Sequence, residues 1–176
     1  RFFGGLTAGQ IKAIKENIPA NFHPVKEEKE TYTYEEALYR YKLCLANTIV
    51  KHGKVSEKAY ICLKAGWLLR SMGENLDPAV EDYNKKMQEI KEQEKDFLKN
   101  ALDGLITARQ TESYPICGMD EVTLEYLIAV LAMEFEKYDI SSRLIYNILN
   151  TPTVNNRIKD KAREVKDELL QQMGKK

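Results

Sequence analysis

Hydrophobic residues recur along most of the chain at intervals of three and four positions, with polar residues between them. This spacing is typical of amphipathic helices, because about 3.6 residues complete one helical turn. Alternating polar and apolar runs bounded by Asn-Gly or Asp-Gly turns, which would predict hairpin strands, do not occur. The pattern therefore predicts an all-α fold of about seven helices.

The first helix is predicted to begin at Thr7 and to end near Ile18, because Pro19 cannot continue it. Residues 21–31 follow as a polar connector with little apolar content. We predict residues 1–32 as a short helix plus connector that precedes the main helical domain.

Thr33 and Glu36 form a capping box, which predicts a second helix over residues 34–52 with Gly53 as its stop. Ser56 is predicted to cap a third helix, and Gly73 to end it in a left-handed cap. Because the turn between them is short, these two helices are predicted to form an antiparallel hairpin.

The fourth helix is predicted to be long. Asp77 followed by Pro78 is typical of an N-cap and first helical position, and no strong breaker appears before about Thr111. At 1.5 Å per residue this helix would span roughly 50 Å. Residues 85–95 are mostly charged, so we expect part of this helix to project beyond the core.

Three further helices are predicted after the loop that begins at Tyr114-Pro115. Asp120 is predicted to cap the fifth helix, residues 140–149 to form the sixth, and Asn155 or Asn156 to start the seventh.

Helix pairs with short turns prompt a search for repeats, and two degenerate ones resemble half of a tetratricopeptide repeat (TPR). One consists of Tyr34, Ala37, Tyr41 and Cys44, and the other of Leu131, Tyr138, Ser141, Ile145 and Ile148. We therefore predict antiparallel helix pairs stacked in a right-handed, TPR-like array around one long central helix. In this interpretation residues 33–176 form the helical domain, and the chain is one globular unit overall. The alternative is a succession of amphipathic helices without a true repeat.

Composition narrows the class of protein. The chain has 31% charged and 43% hydrophobic residues, which is too apolar for a disordered chain and too charged for a membrane protein. Lys plus Arg equals Asp plus Glu at 27 each, so no overall electrostatic field attracts nucleic acid.

The three cysteines are odd in number and dispersed, which favours reduced thiols and a cytoplasmic protein. No run reaches the roughly 18 apolar residues of a membrane span, and no leader-like segment is present. The start at Arg1 without Met is what we expect of a piece of a longer protein.

Several segments of the sequence resemble a known protein family. They lie at 34–70, with RYKLCL, SEKAY and WLLR, and at 118–145, with GMDEVTLEYLIAVL and FEKYDISSRLI. From about Tyr34 onward the chain is similar to the C-terminal helical region of the bacterial family called domain of unknown function 2225. That resemblance implies an N-terminal zinc-ribbon-like segment with paired C-x-x-C motifs, which this chain lacks, and it implies no established activity.

The chain departs from the family pattern at two places. The family's fifth helix usually runs into a basic Arg-Arg-x-Gly turn, whereas residues 133–136 here read Met-Glu-Phe-Glu. The alanine usual in the next helix is replaced by Ser141. An anionic ligand at that basic turn is therefore not expected in this chain.

The sequence contains no recognisable catalytic, metal or cofactor site. The cysteines and the two histidines lack the local pairing that a zinc site requires, and neither histidine stands in a motif that pairs a base with a nucleophile. The glycines near the N-terminus fit neither phosphate-loop spacing. We therefore predict that the protein is not an enzyme and holds no cofactor.

Three residues are the candidates for ligand contact. Arg40 and Arg70 lie at the edges of apolar stripes within family-like motifs, where two guanidinium groups could bind a carboxylate or phosphate. The competing interpretation is that each arginine forms a salt bridge with Glu36, Glu74 or another local acid. Tyr126 lies beside the stripe of the fifth helix, and Trp67 is predicted to pack in the core.

The function predicted from these patterns is a non-catalytic protein–protein interaction module, with a TPR-like groove that accepts a peptide or helix of a partner. The first alternative is a structural role in which the long helix forms a homodimer seam. The second alternative is a small-ligand receptor or an unrecognised enzyme, which would require a closed pocket with converging polar groups. No nucleic-acid or membrane partner is expected.

Overall fold

The computed structural model describes residues 6–17 and 31–174 of the chain. These residues form seven α-helices and no β-strand, which confirms the predicted all-α class and helix number. The helices are α1 (Ala8–Asn17), α2 (Tyr34–Val50), α3 (Val55–Glu74), α4 (Tyr83–Thr111), α5 (Glu121–Glu134), α6 (Tyr138–Asn150) and α7 (Asn156–Met173). The long central helix is α4, with 29 residues. Within the described residues, no helix is long and apolar enough to cross a membrane.

The chain divides into two compact units, residues 1–101 and 102–176, and the boundary lies inside α4. The first unit thus contains α1 to α3 and the N-terminal part of α4, and the second contains the rest of α4 with α5 to α7. Our boundary after residue 32 and the TPR-like stacking both stay predictions.

The core of the first unit forms where the hairpin of α2 and α3 packs against α4. Leu38, Ala65, Leu69 and Ile90 are buried together in one cluster, so each of the three helices contributes an apolar side chain. Ile90 lies within this cluster, so the charged segment 85–95 contacts the core through this residue, while most of its other side chains are exposed. One apolar residue in a charged stretch is enough to bury a helix face when its neighbours supply the other apolar surface.

Gly66 sets the closest approach of α3 to α4. A Cβ atom on this residue would lie 2.5 Å from Leu98 Cδ2 and 2.6 Å from Leu98 Cγ. Leu98 is buried in the core. The missing side chain therefore lets the Leu98 side chain pack directly on the backbone of α3.

The second unit is built on the packing of α5 against α6 and of α6 against α7. Leu102 and Leu105 of α4 are completely buried, as is Ser141 of α6. The Ser141 hydroxyl donates a hydrogen bond of 2.8 Å to the carbonyl oxygen of Ala129 in α5. This bond satisfies the hydroxyl that replaces the family's usual alanine.

Three predicted N-caps are confirmed. The amide of Glu36 donates to the Thr33 hydroxyl at 3.2 Å, and the Glu36 carboxylate accepts from the Thr33 amide at 3.0 Å, which completes the capping box of α2. Asp120 accepts from the Thr123 amide at 2.7 Å, and Asn155 accepts from the Ile158 amide at 2.9 Å.

Three other predicted helix ends are wrong. Ser56 is buried inside α3, which is preceded by Lys54 with no side-chain cap. Gly73 lies within α3, and α3 ends only at Glu74. The Asp77 carboxylate accepts from the Ala79 amide at 2.9 Å in a local turn, and α4 starts six residues after it. Such turns compete with helix starts, because the same short side chain serves both.

Two non-glycine residues adopt the left-handed conformation at helix ends. His52, not the adjacent Gly53, has a φ of 55° after α2, and Glu136 has a φ of 56° after α5. Glu136 thus adopts a conformation that glycine adopts most easily.

We expect Gly66→Ala to destabilise the protein by about 1–3 kcal/mol, because overpacking a filled core outweighs the gain in helix propensity. Gly73→Ala in the same helix is the matched control. Its Cβ would meet Ile90 Cγ2 at 3.4 Å and Met87 Sδ at 3.5 Å, which are ordinary contacts. Chemical denaturation should show Gly73→Ala at least as stable as the wild type. Equal effects of the two substitutions would contradict the close approach at Gly66.

We expect Asp120→Ala to lower stability by about 1 kcal/mol at pH 7, because it removes the N-cap of α5. The hydrogen bonds from Thr123 hold the pKa of Asp120 below its ordinary value of 3.8. The stabilisation by the carboxylate is therefore complete well above pH 3.8 and is lost as the pH falls below that value. Thermal unfolding of the wild type and the variant should converge in acid. Asp120→Asn, which keeps a capping oxygen, should show no such pH dependence.

Candidate functional site

A cavity of about 710 Å³ lies in the first unit, lined by residues from α1, α2 and α3 and by three residues outside these helices, Leu6, Tyr32 and Lys51. Its wall is mainly apolar and aromatic. These lining residues are Leu6, Ile14, Tyr32, Ala37, Tyr41, Leu43, Tyr60 and Ile61.

The helical repeat explains why α2 supplies most of this wall. Ala37, Tyr41, Cys44, Thr48 and Lys51 follow one another at intervals of three and four residues, which places them on one face of the helix. Ile49 of the same helix does not line the cavity and is 53% exposed.

The end of α2 is tied to α1. Gln10 donates from Nε2 to the carbonyl oxygen of Lys51 at 3.0 Å. Ile14 of α1 is buried against the same region and lines the cavity. The short first helix thus closes one side of the site with one buried apolar side chain and one hydrogen bond.

Arg40 lines the cavity from α2. Its guanidinium carbon lies 3.8 Å from the centroid of the Tyr32 ring, and its Nη1 donates to the Glu36 carbonyl oxygen at 3.2 Å. Among the described residues it forms no salt bridge with a carboxylate. Stacking on an aromatic ring holds the guanidinium plane while its edge keeps N–H donors for another acceptor.

Two lysines complete the charged part of the wall. Lys64 of α3 places its ammonium 5.3 Å from the Tyr60 ring centroid and 5.2 Å from that of Trp67. Lys51 forms a salt bridge of 3.5 Å with Glu57. Trp67 is 39% exposed, so the core position predicted for it is wrong. The indole of Trp67 lies half-buried at the surface, where it contacts the ammonium group of Lys64.

Cys44 provides a thiol in the same wall. Removal from water raises its pKa above the ordinary value, although Lys51 and a hydrogen bond with Thr48 act in the opposite direction. The thiol is therefore mostly protonated near neutral pH and is a weak nucleophile. Within residues 6–17 and 31–174, no histidine or carboxylate that could serve as its base lines the cavity.

The structure separates the other two candidate residues from this cavity. Arg70 of α3 does not line it. Its Nε donates to Glu94 Oε1 of α4 at 2.6 Å, so a salt bridge between helices occupies at least part of its guanidinium group. Tyr126 belongs to the second unit, where its pKa is raised first by burial and then by the carboxylates of Glu164 and Glu168.

The second unit contains a charged pair that the sequence analysis missed. Arg109 of α4 forms a salt bridge with Glu125 of α5, which is buried although helix periodicity alone gave no sign of it. Tyr114 lies beside the pair, and its pKa is raised mainly by burial and also by Glu121 and Glu125. The Arg109 Nε is buried without a hydrogen-bond partner. Because each charge compensates the other, the pair is suited to fixing α4 against α5.

Metal-ligand side chains do not cluster in the part of the chain that the structure describes. No three of the His, Cys, Asp and Glu residues there come close enough to hold a metal ion. The three cysteines are free thiols.

No curated protein and no solved structure matches this chain. The model of the family described as "Uncharacterized protein conserved in bacteria (DUF2225)" matches residues 1–169. Because this match covers most of the chain and includes every helix that lines the cavity, the chain belongs to the domain of unknown function 2225 family, as its sequence motifs predicted.

Proposed function

We propose that the protein is a non-catalytic binding module, and that its cavity accepts apolar side chains from a segment of a partner protein. The observation that carries the proposal is the mainly apolar cavity of about 710 Å³ lined by α1, α2 and α3. Concave sites lined mainly by apolar and aromatic side chains are typical of binding sites.

The volume indicates how a peptide would bind. Two turns of an α-helix with side chains occupy roughly 1,000 Å³, from a diameter of 10–12 Å and a pitch of 5.4 Å. That is more than the cavity volume of about 710 Å³. A partner helix would therefore lie over the opening and insert two or three large side chains, as in helix-in-groove recognition. Such buried side chains supply most of the affinity at protein interfaces.

The chemistry of the wall supports a role without catalysis. The thiol of Cys44 has a raised pKa, and no general base from the described part of the chain lines the cavity beside it. Nucleophilic catalysis by cysteine requires the opposite arrangement, a lowered pKa and an adjacent base.

A receptor for a small apolar molecule is the second candidate, because the cavity volume lies within the range of about 300–1,000 Å³ that is typical of small-ligand pockets. A TPR-like array and a cytoplasmic location remain part of the proposal. The helical hairpin of α2 and α3 is compatible with the first, and the three free thiols favour the second.

Labelling of Cys44 tests the proposal within the intact protein. In extract from cells that produce the protein, we expect a bound partner to slow N-ethylmaleimide labelling of Cys44. Labelling should slow about fivefold when the free concentration of the partner is four times the dissociation constant of the complex. Cys117, which lies in the second unit, is the internal reference. Peptide mass spectrometry reads both cysteines in one sample.

Ala37→Phe and Ala46→Phe are the matched variants, since both add the same bulk to α2. Ala37 lines the cavity, whereas Ala46 is exposed and does not. We expect Ala37→Phe alone to abolish the protection and the capture of a partner. Protection by the low-molecular-weight filtrate of the extract would favour the small-ligand candidate. Equal Cys44 labelling with and without extract would refute the proposal.

A further inference from the structure

The charges of the cavity wall are one-sided. Among the residues that the structure describes, Arg40, Lys51 and Lys64 line the cavity, and no Asp or Glu does. This local imbalance contrasts with the whole chain, in which 27 basic residues balance 27 acidic ones.

Two of the three cations keep their charge available. Lys51 is partly neutralised by Glu57 at 3.5 Å. Arg40 contacts a ring and a carbonyl oxygen, and Lys64 lies over two rings, but neither forms a salt bridge with a carboxylate among the residues that the structure describes. Contacts with ring faces orient these cations without cancelling their charge.

The apolar wall strengthens the effect of these charges. Cations beside low-dielectric surface produce a larger potential than the same cations in open water. An anionic group that approaches Arg40 and Lys64 while an apolar group enters the cavity would therefore gain from both interactions. A neutral or cationic occupant would gain only the apolar part or would be repelled.

We infer that the cavity is selective for anionic amphiphiles, and that its occupant is an acidic amphipathic segment of a partner protein, with a carboxylate beside its inserted apolar side chains. This inference rests on the proposed function for the identity of the occupant. The charge preference itself depends only on the wall of the cavity and can be measured separately.

Two fluorescent probes of nearly the same shape isolate the charge preference. 1-Anilinonaphthalene-8-sulfonate carries one negative charge, and N-phenyl-1-naphthylamine is the same ring system without the sulfonate. Titration of the intact 176-residue protein with each probe gives two dissociation constants. Their ratio removes the contribution of apolar contact. Weakening of both probes by Ala37→Phe and not by Ala46→Phe shows that they bind in the cavity.

We expect the Arg40→Gln/Lys64→Gln variant to weaken the sulfonate probe about fivefold relative to the neutral probe, as for two partly exposed charge contacts. High salt should weaken sulfonate binding to the wild type more than to this variant. Arg157→Gln/Lys161→Gln is the charge-matched control, since it removes one Arg and one Lys from exposed positions of α7. This control should leave the ratio of the two dissociation constants unchanged.

The single variants Arg40→Gln and Lys64→Gln are measured as well, so that an unfolded double variant, detected by circular dichroism, leaves the test intact. Equal weakening of both probes, or the same change of ratio in the α7 control, would overturn the inference while leaving the cavity as a binding site. Failure of both probes to bind the wild type would overturn the cavity itself, and with it the proposed function. The remaining outcome is a protein that protects Cys44 to an extent that neither salt nor the double substitution changes. That result would support the proposed function and contradict the acidic occupant.

Discussion

The close packing of α3 on α4 at Gly66 and Leu98 is the constraint on which the first unit depends. One face of α3 is committed to this contact and to the neighbouring cluster of Ala65, Leu69 and Ile90. The same cluster includes Leu38 of α2, so α2 and α4 share this face of α3, and other residues of the helix line the cavity. The positions of Tyr60, Ile61 and Lys64 in the cavity wall follow from this division of the helix surface.

The cavity and the core of the first unit share α2 and α3, but they differ in how their side chains pack. In the core, apolar side chains from three helices pack closely against one another. On the other side, the short helix α1 buries a single residue, Ile14, and cannot fill the volume between α2 and α3. Apolar and aromatic side chains line the space that is left, and three long side chains with charged ends border it. This combination of apolar wall and cationic border distinguishes the site from an ordinary packing defect.

Two residues of the second unit occupy positions where a different residue was expected from the sequence motifs. Ser141 replaces a usual alanine and remains buried, because the Ala129 carbonyl oxygen accepts its hydroxyl. Glu136 takes the left-handed conformation at the position of the family's usual glycine. The expected basic turn is absent from this chain. Cationic side chains lie in the cavity wall of the first unit instead.

Sequence alone determined the features that depend on neighbours within one helical turn. Periodicity predicted seven helices, and the caps at Thr33, Asp120 and Asn155 were found because each cap joins residues three positions apart. The ends assigned to Ser56, Gly73 and Asp77 were wrong, because packing between helices or a competing local turn overrode the signal. Only the tertiary structure decided which arginine borders the cavity: Arg70 pairs with Glu94 from another helix, while Arg40 lies over Tyr32. A hydrogen bond within one turn is encoded by adjacent residues, whereas a cavity exists only where separate helices meet and fail to fill the space between them.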